Sequence, residues 1–199
     1  MTGEVVEADI EPSYSYQPSV FGAGRTFCLR DGAINWEAGR RSGRIAFERI
    51  TRVRMSYRPG TLQTQRFLME IWSPDAPKLS VLSTSWKSVV EQIDQGDDYR
   101  AFAVEFNRRL AATGSKARFE AGMNPLIYWP GLALLVAASI AIAGLAARAF
   151  QSGGRLTGFL IAAFVLLFFW HGGTIFHRNR PGMYRPDALP PLLLPRVRG

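Results

Sequence analysis

Two apolar runs limit what this chain can fold into more than any other feature of its sequence. From Leu126 to Ala147 no charged residue appears until Arg148, and a second run from Leu156 to Phe176 contains Phe164-Val165-Leu166-Leu167-Phe168-Phe169-Trp170. About twenty apolar residues in helical form match the hydrocarbon thickness of a bilayer. In a soluble protein both helices would have to be covered on all sides, and the polar remainder of a 199-residue chain is too small to do that. The connector Arg148–Arg155 is short and forces the two helices antiparallel. The expectation is a transmembrane hairpin over 123–177, with spans at 126–147 and 156–176.

The charge distribution orients that hairpin. Lys and Arg number 24 against 16 Asp and Glu, a net charge of +8. Such an excess favours an anionic membrane surface or an acidic partner, and with spans present it gives no reason to expect nucleic acid. Arg108, Arg109, Lys116 and Arg118 precede the first run, and Arg178, Arg180 and Arg185 follow the second, whereas the connector carries only Arg148 and Arg155. Positive flanks favour the cytoplasm, so both termini are expected there. Residues 1–19 are acidic and polar without the charged-then-apolar order of a signal peptide, and they read as a flexible lead-in. The one cysteine, Cys28, lies between Phe27 and Leu29, which fits a buried structural thiol.

Between residue 20 and the first span, short apolar stretches alternate with Gly, Pro, Asp and Asn, as in antiparallel β structure. Asp31-Gly32 joins two strands by a tight turn. Gly39-Arg40-Arg41-Ser42-Gly43 reads as a second turn, leading to Arg44-Ile45-Ala46-Phe47. Val53, Met55 and Tyr57 alternate with Arg52, Arg54, Ser56 and Arg58, which makes one face apolar and the other cationic. Further on, Tyr99, Phe102, Phe106 and Leu110 recur at helical spacing, with Asp97 and Asp98 suited to the N-terminus and Gly114 to the stop.

This order of short strands and one amphipathic helix resembles the pleckstrin-homology-like domains of bacterial membrane proteins. The resemblance rests on Ile34, on Gly43-Arg44-Ile45-Ala46-Phe47-Glu48-Arg49-Ile50-Thr51-Arg52-Val53, and on Phe102, Phe106 and Leu110. It covers about Phe21 to Ala112 and implies an antiparallel β barrel capped by its C-terminal helix. The expected fold is thus α+β: a PH-like cytoplasmic domain over 20–122, then the hairpin, then a proline-rich cytoplasmic tail over 178–199. The layout is also similar to that of uncharacterised α-proteobacterial membrane proteins, which implies the bacterial inner membrane.

Candidate contact residues follow from charge and from the tail. Arg40, Arg41, Arg44, Arg52, Arg54 and Arg58 could gather on one face and meet anionic lipid or a partner, since guanidinium donors match phosphate. Leu189, Pro190, Pro191, Leu192 and Leu194 form an apolar tail that cannot be a regular helix; it either docks in a groove or folds back on the protein or membrane. Ala133, Ala137 and Ala141, with Gly158 and Ala162, are spaced for close helix packing. His171 and His177 lie in or beside the second span and lack the partners of a metal or haem site. Asp94, Asp97 and Asp98 fit helix capping better than acid–base chemistry. Neither a catalytic constellation nor a cofactor or metal motif is evident. The expected function is a membrane-anchored, non-enzymatic interaction or scaffold protein in an inner-membrane assembly, with membrane lipids and an integral-membrane protein or a second copy as partners. Anionic-lipid binding through the arginine face is the alternative, and a cofactor-binding membrane subunit the next.

Overall fold

The structure, a computed structural model, describes residues 11–59, 65–88 and 91–196. Strand alternation builds the polar part. Four antiparallel strands follow one another: β1 (Ser13–Tyr16), β2 (Arg25–Arg30), β3 (Ala33–Ala38) and β4 (Arg41–Ala46). Asp31 and Gly32, with φ of 48° and 67°, make the tight turn between β2 and β3. The second turn is shorter than expected. Ala38 already pairs with Arg41, so Ser42 and Gly43 belong to β4. Gly43 is required there, because a Cβ would meet the Trp36 ring at 2.9 Å.

A 3-10 turn at Phe47–Arg49 leads into the second sheet, formed by β5 (Arg52–Pro59), β6 (Gln65–Ser73) and β7 (Ala76–Leu82). Its inner face carries Val53, Met55, Phe67, Met69, Ile71, Leu79 and Val81, all buried. A short hairpin of β8 (Thr84–Trp86) and β9 (Gln92–Asp94) precedes helix α1 (Gly96–Ala112). Tyr99, Phe102, Phe106 and Leu110 on α1 are buried against both sheets. Asp94 accepts from the Gly96 amide at 3.0 Å, while Asp97 and Asp98 sit exposed in the first turn.

Three expectations change. The segment Ser13–Tyr16 is a strand rather than lead-in: Tyr14 and Tyr16 are buried, and β1 pairs with β2. Residues 1–10 lie outside the described part. The barrel implied by the resemblance is not closed, since among the described residues no backbone ladder links the two sheets. The Tyr14 and Tyr16 side chains bridge them instead, their hydroxyls donating to the Leu82 and Ser80 carbonyls of β7. Cys28 is half-buried rather than enclosed, because Phe27 and Leu29 take the inward positions of β2; its thiol lies 3.4 Å from a Glu11 carboxylate oxygen.

The largest departure concerns how the hairpin is joined to the sheets. Strand β10 (Arg118–Ala121) runs parallel to β5, so the second sheet is mixed. Helices α2 (Pro125–Gln151) and α3 (Arg155–Arg178) follow, and then β11 (Gly182–Met183) returns to pair with β10. The sheet order is β11-β10-β5-β6-β7. The hairpin is therefore an insertion between two paired strands, not an appendage to a finished domain. Asn124 starts α2 as its N-cap, accepting from the Leu126 amide at 3.1 Å, and Pro125 takes the first helical position, where no amide is needed.

At 27 and 24 residues the two helices are ~40 and ~36 Å long, enough to cross a ~30 Å hydrocarbon core. Large apolar side chains on them are exposed, including Leu134, Leu160, Leu166 and Trp170, and almost nothing on α3 is buried. Contiguous apolar surfaces of this extent are rare on soluble monomers and mark membrane or protein interaction sites. The two helices thus fit a transmembrane hairpin. Their seam uses Gly131 against Phe176, Leu135 against Gly172, and Phe150 against Gly158. Ala133, Ala137 and Ala141 lie off the seam and are exposed, contrary to the expected pairing, because Leu135 and Ser139 hold the inward positions.

Candidate functional site

The outward face of the second sheet has the opposite chemistry from its core face. In register across β10, β5 and β6 stand Glu120, Arg54 and Glu70, with Arg52 opposite Trp72 and Arg58 opposite Arg66. Where this face meets the base of the hairpin there is a pocket of about 350 Å³. Arg52, Arg54, Ser56, Arg58, Glu70, Trp72 and Lys78 line it from the sheet, and Gly122, Met123, Asn124, Ile127 and Asn179 from the base of the hairpin. Small-ligand sites commonly have this size, about 300–1,000 Å³.

Asn179 ties the two walls together. Fully buried one residue past α3, it accepts from the Tyr57 amide at 2.9 Å and donates to the Tyr57 carbonyl at 2.8 Å. Its side chain thereby stands in for a neighbouring strand at the point where β10 has ended. Gly122 continues the ladder, donating to the Met55 carbonyl at 2.7 Å. The sheet and the two ends of the hairpin are fixed to each other by these bonds.

The charges in the pocket do not balance. Lys78 pairs with Glu70 at 2.7 Å, and Arg54 binds one Glu120 oxygen through both Nε and a terminal nitrogen. That uses both carboxylates. Arg52 lies 3.9 Å over the Trp72 ring, a cation–π contact. Arg58 and Arg66 are cross-strand neighbours of like charge, an arrangement that is destabilising unless an anion intervenes. Among the described residues no carboxylate pairs with Arg52, Arg58 or Arg66. The Arg66 Nε is buried without a hydrogen-bond partner, and so is the Ser56 hydroxyl, on a residue only 5% exposed. Ser56 has no hydrogen-bonded base, so nothing activates its oxygen as a nucleophile. The arrangement offers donors and positive charge, and suits a bound anion.

The six arginines expected on one face are divided between two sheets. Arg40 and Arg41 lie at the turn between β3 and β4, and Arg44 points outward from β4 with its guanidinium donating to the Asp31 carbonyl at 3.0 Å. Only Arg52, Arg54 and Arg58 line the pocket. Sequence reasoning missed Ser56, Trp72, Lys78 and Asn179. The alternation around Ser56 was legible, but which residues of β6, β7 and the segment after α3 stand beside it depends on register.

The tail residues separate in the same way. Tyr184 packs on Phe119 and donates to the buried Asn107 of α1 at 3.0 Å. Leu193 and Leu194 are buried in the core and Leu189 packs partly against it, whereas Leu192 is 49% exposed. A 3-10 turn at Pro191–Leu193 gives successive side chains different directions, which turns Leu192 outward. Pro190 is half-buried and Pro191 exposed. Arg100 holds the end by donating to the Pro195 carbonyl at 2.9 Å.

His171 and His177 are exposed on α3, and among the described residues no three His, Cys, Asp or Glu side chains gather to hold a metal ion. Comparison with known proteins finds no matching family model, no matching curated protein and no matching solved structure.

Proposed function

We propose that this protein is a non-enzymatic, membrane-anchored binding module whose β domain is held against the cytoplasmic face of the bacterial inner membrane and contacts anionic lipid there. The observation that carries this reading is the insertion of the hairpin between β10 and β11. Two paired strands must share a compartment, so an even number of crossings separates them and the connector Ser152–Gly154 faces the other side. The basic flanks favour the cytoplasm for the domain. A cationic face at the base of the spans then lies at headgroup depth, where anionic lipid attracts Lys and Arg. The strand order and closing helix α1 agree with a relation to pleckstrin-homology-like domains, with the tyrosine bridges in place of a closed ladder.

A scaffold for an integral-membrane partner or a second copy is the other reading. In its favour, Ala133, Ala137 and Ala141 present small side chains away from the hairpin seam. Alkaline carbonate extraction, combined with a reporter fused after Gly199, tests the membrane reading. Retention in the pellet with a cytoplasmic reporter signal is expected; release into the supernatant, or a periplasmic signal, would overturn it.

A further inference from the structure

We infer that the pocket between the outer face of β5–β7 and the base of α2 is a built site for one phosphate group of an anionic lipid. This rests on the membrane reading above and goes beyond it, because a membrane-proximal basic face needs no pocket. The distinction lies in Ser56. Diffuse attraction to a charged surface is satisfied by exposed arginines alone. Here Ser56, a residue only 5% exposed, lines the pocket between Arg54 and Arg58 on the same strand face, and its buried hydroxyl has no hydrogen-bond partner among the described residues. Burying an unpaired hydroxyl is unfavourable, and a phosphate oxygen would accept from it. The same anion would meet Arg58, which lines the pocket without a carboxylate partner among the described residues, and a planar guanidinium fork suits phosphate oxygens.

The walls indicate which phosphate. On one side are cations and the Trp72 ring; on the other are Met123 and Ile127, and Ile127 is 61% exposed and adjoins the apolar surface of α2. A ligand that is charged at one end and apolar at the other fits both walls. A free phosphate ion fits only the first.

The test uses the full chain in neutral detergent, titrated by calorimetry with short-chain phosphatidylglycerol, short-chain phosphatidylcholine and inorganic phosphate. Saturable binding of phosphatidylglycerol is expected, clearly tighter than that of phosphatidylcholine and weakened by salt. Ser56→Ala, which changes no charge, should weaken it by roughly tenfold, as expected for loss of one hydrogen bond to a charged group. Arg58→Gln should weaken it at least as much, while Arg44→Gln on the other sheet should leave it unchanged. A melting curve confirms that each variant folds. Wild-type affinity in Ser56→Ala, or equal losses in Arg44→Gln and Arg58→Gln, would reduce the pocket to diffuse attraction and overturn the inference. Inorganic phosphate binding as tightly as phosphatidylglycerol would overturn the lipid as its source. The titration is done in detergent and is read separately from carbonate extraction, so each can fail without the other.

Discussion

Replacing Asn179 with Ala probes the joint on which the arrangement depends. The Asn179 amide supplies both hydrogen bonds of the Tyr57 backbone, at 2.9 and 2.8 Å, in a fully buried position. It also donates to the Ile175 carbonyl at 3.1 Å, but the Asn179 backbone amide serves that carbonyl too, so its loss there is minor. The variant leaves one amide and one carbonyl of Tyr57 without partners, at about 1–3 kcal/mol each, or about 2–6 kcal/mol in all. Water entering from the adjoining pocket favours the lower end. At ~2–4 °C per kcal/mol for a chain of this size, Tm should fall by roughly 5–10 °C. Circular dichroism of the detergent-solubilised protein reads the melt, and hydrogen exchange reads local opening at Met55–Tyr57. Asn124→Ala removes only a helix cap, about 1 kcal/mol, and should open α2 rather than β5. An Asn179→Ala protein that melts with the wild type and keeps Tyr57 protected would refute a hairpin locked to the sheet.

Other expectations follow from particular contacts. Hydrogen bonds from Arg108 and then Arg109 hold the Glu105 carboxyl down at about 2. Because this lies below the unfolded value of ~4.3, the pairing stabilises fully above that pH and is lost as pH falls toward 2; Glu105→Gln should flatten the stability profile across that window, and an unchanged acid profile would contradict the pairing. Gly43→Ala drives a methyl group against the Trp36 ring and should destabilise by about 1–3 kcal/mol in a melting experiment. Leu193→Ala empties a core position that is 2% exposed, at about 2–5 kcal/mol, whereas Leu192→Ala should be near neutral; equal effects would contradict the docking of the tail. Tyr99→Phe removes a buried hydroxyl that has no hydrogen-bond partner and should hold or raise Tm, and a clear loss would mean that the hydroxyl has a partner after all.

The sequence made the local elements legible and left their long-range pairing hidden. The alternation of Val53, Met55 and Tyr57 with Arg52, Arg54 and Arg58 identified a strand and both its faces, and the spacing of Tyr99, Phe102, Phe106 and Leu110 identified α1. The two long apolar helices are legible from their length and composition. What escaped was carried by short segments with little pattern. Arg118–Ala121 is a four-residue strand made only by its parallel pairing with β5. Gly182–Met183 becomes a strand because β10 lies beside it. Without those two, the hairpin reads as an appendage and Asn179 as a span flank. The arginines show the same limit: composition announced a cationic face, but strand register decided that Arg40, Arg41 and Arg44 would be on one sheet and Arg52, Arg54 and Arg58 on the other. Ser56 carried no signal beyond its place in the alternation, because an unpartnered hydroxyl exists only in three dimensions.

The central claim, an inserted hairpin that crosses the membrane and leaves its domain in the cytoplasm, is tested most directly by single-cysteine accessibility. Cys28 is the one cysteine in the chain, so a Cys28→Ser background is free of thiols. Into it go Thr113→Cys, at an exposed position just after α1, and Ser152→Cys, at an exposed position in the connector. Intact spheroplasts are then treated with a membrane-impermeant maleimide. The account predicts labelling of Ser152→Cys at once and of Thr113→Cys only after permeabilisation. Labelling of Thr113→Cys in intact spheroplasts, or protection of Ser152→Cys until the membrane is broken, would contradict it.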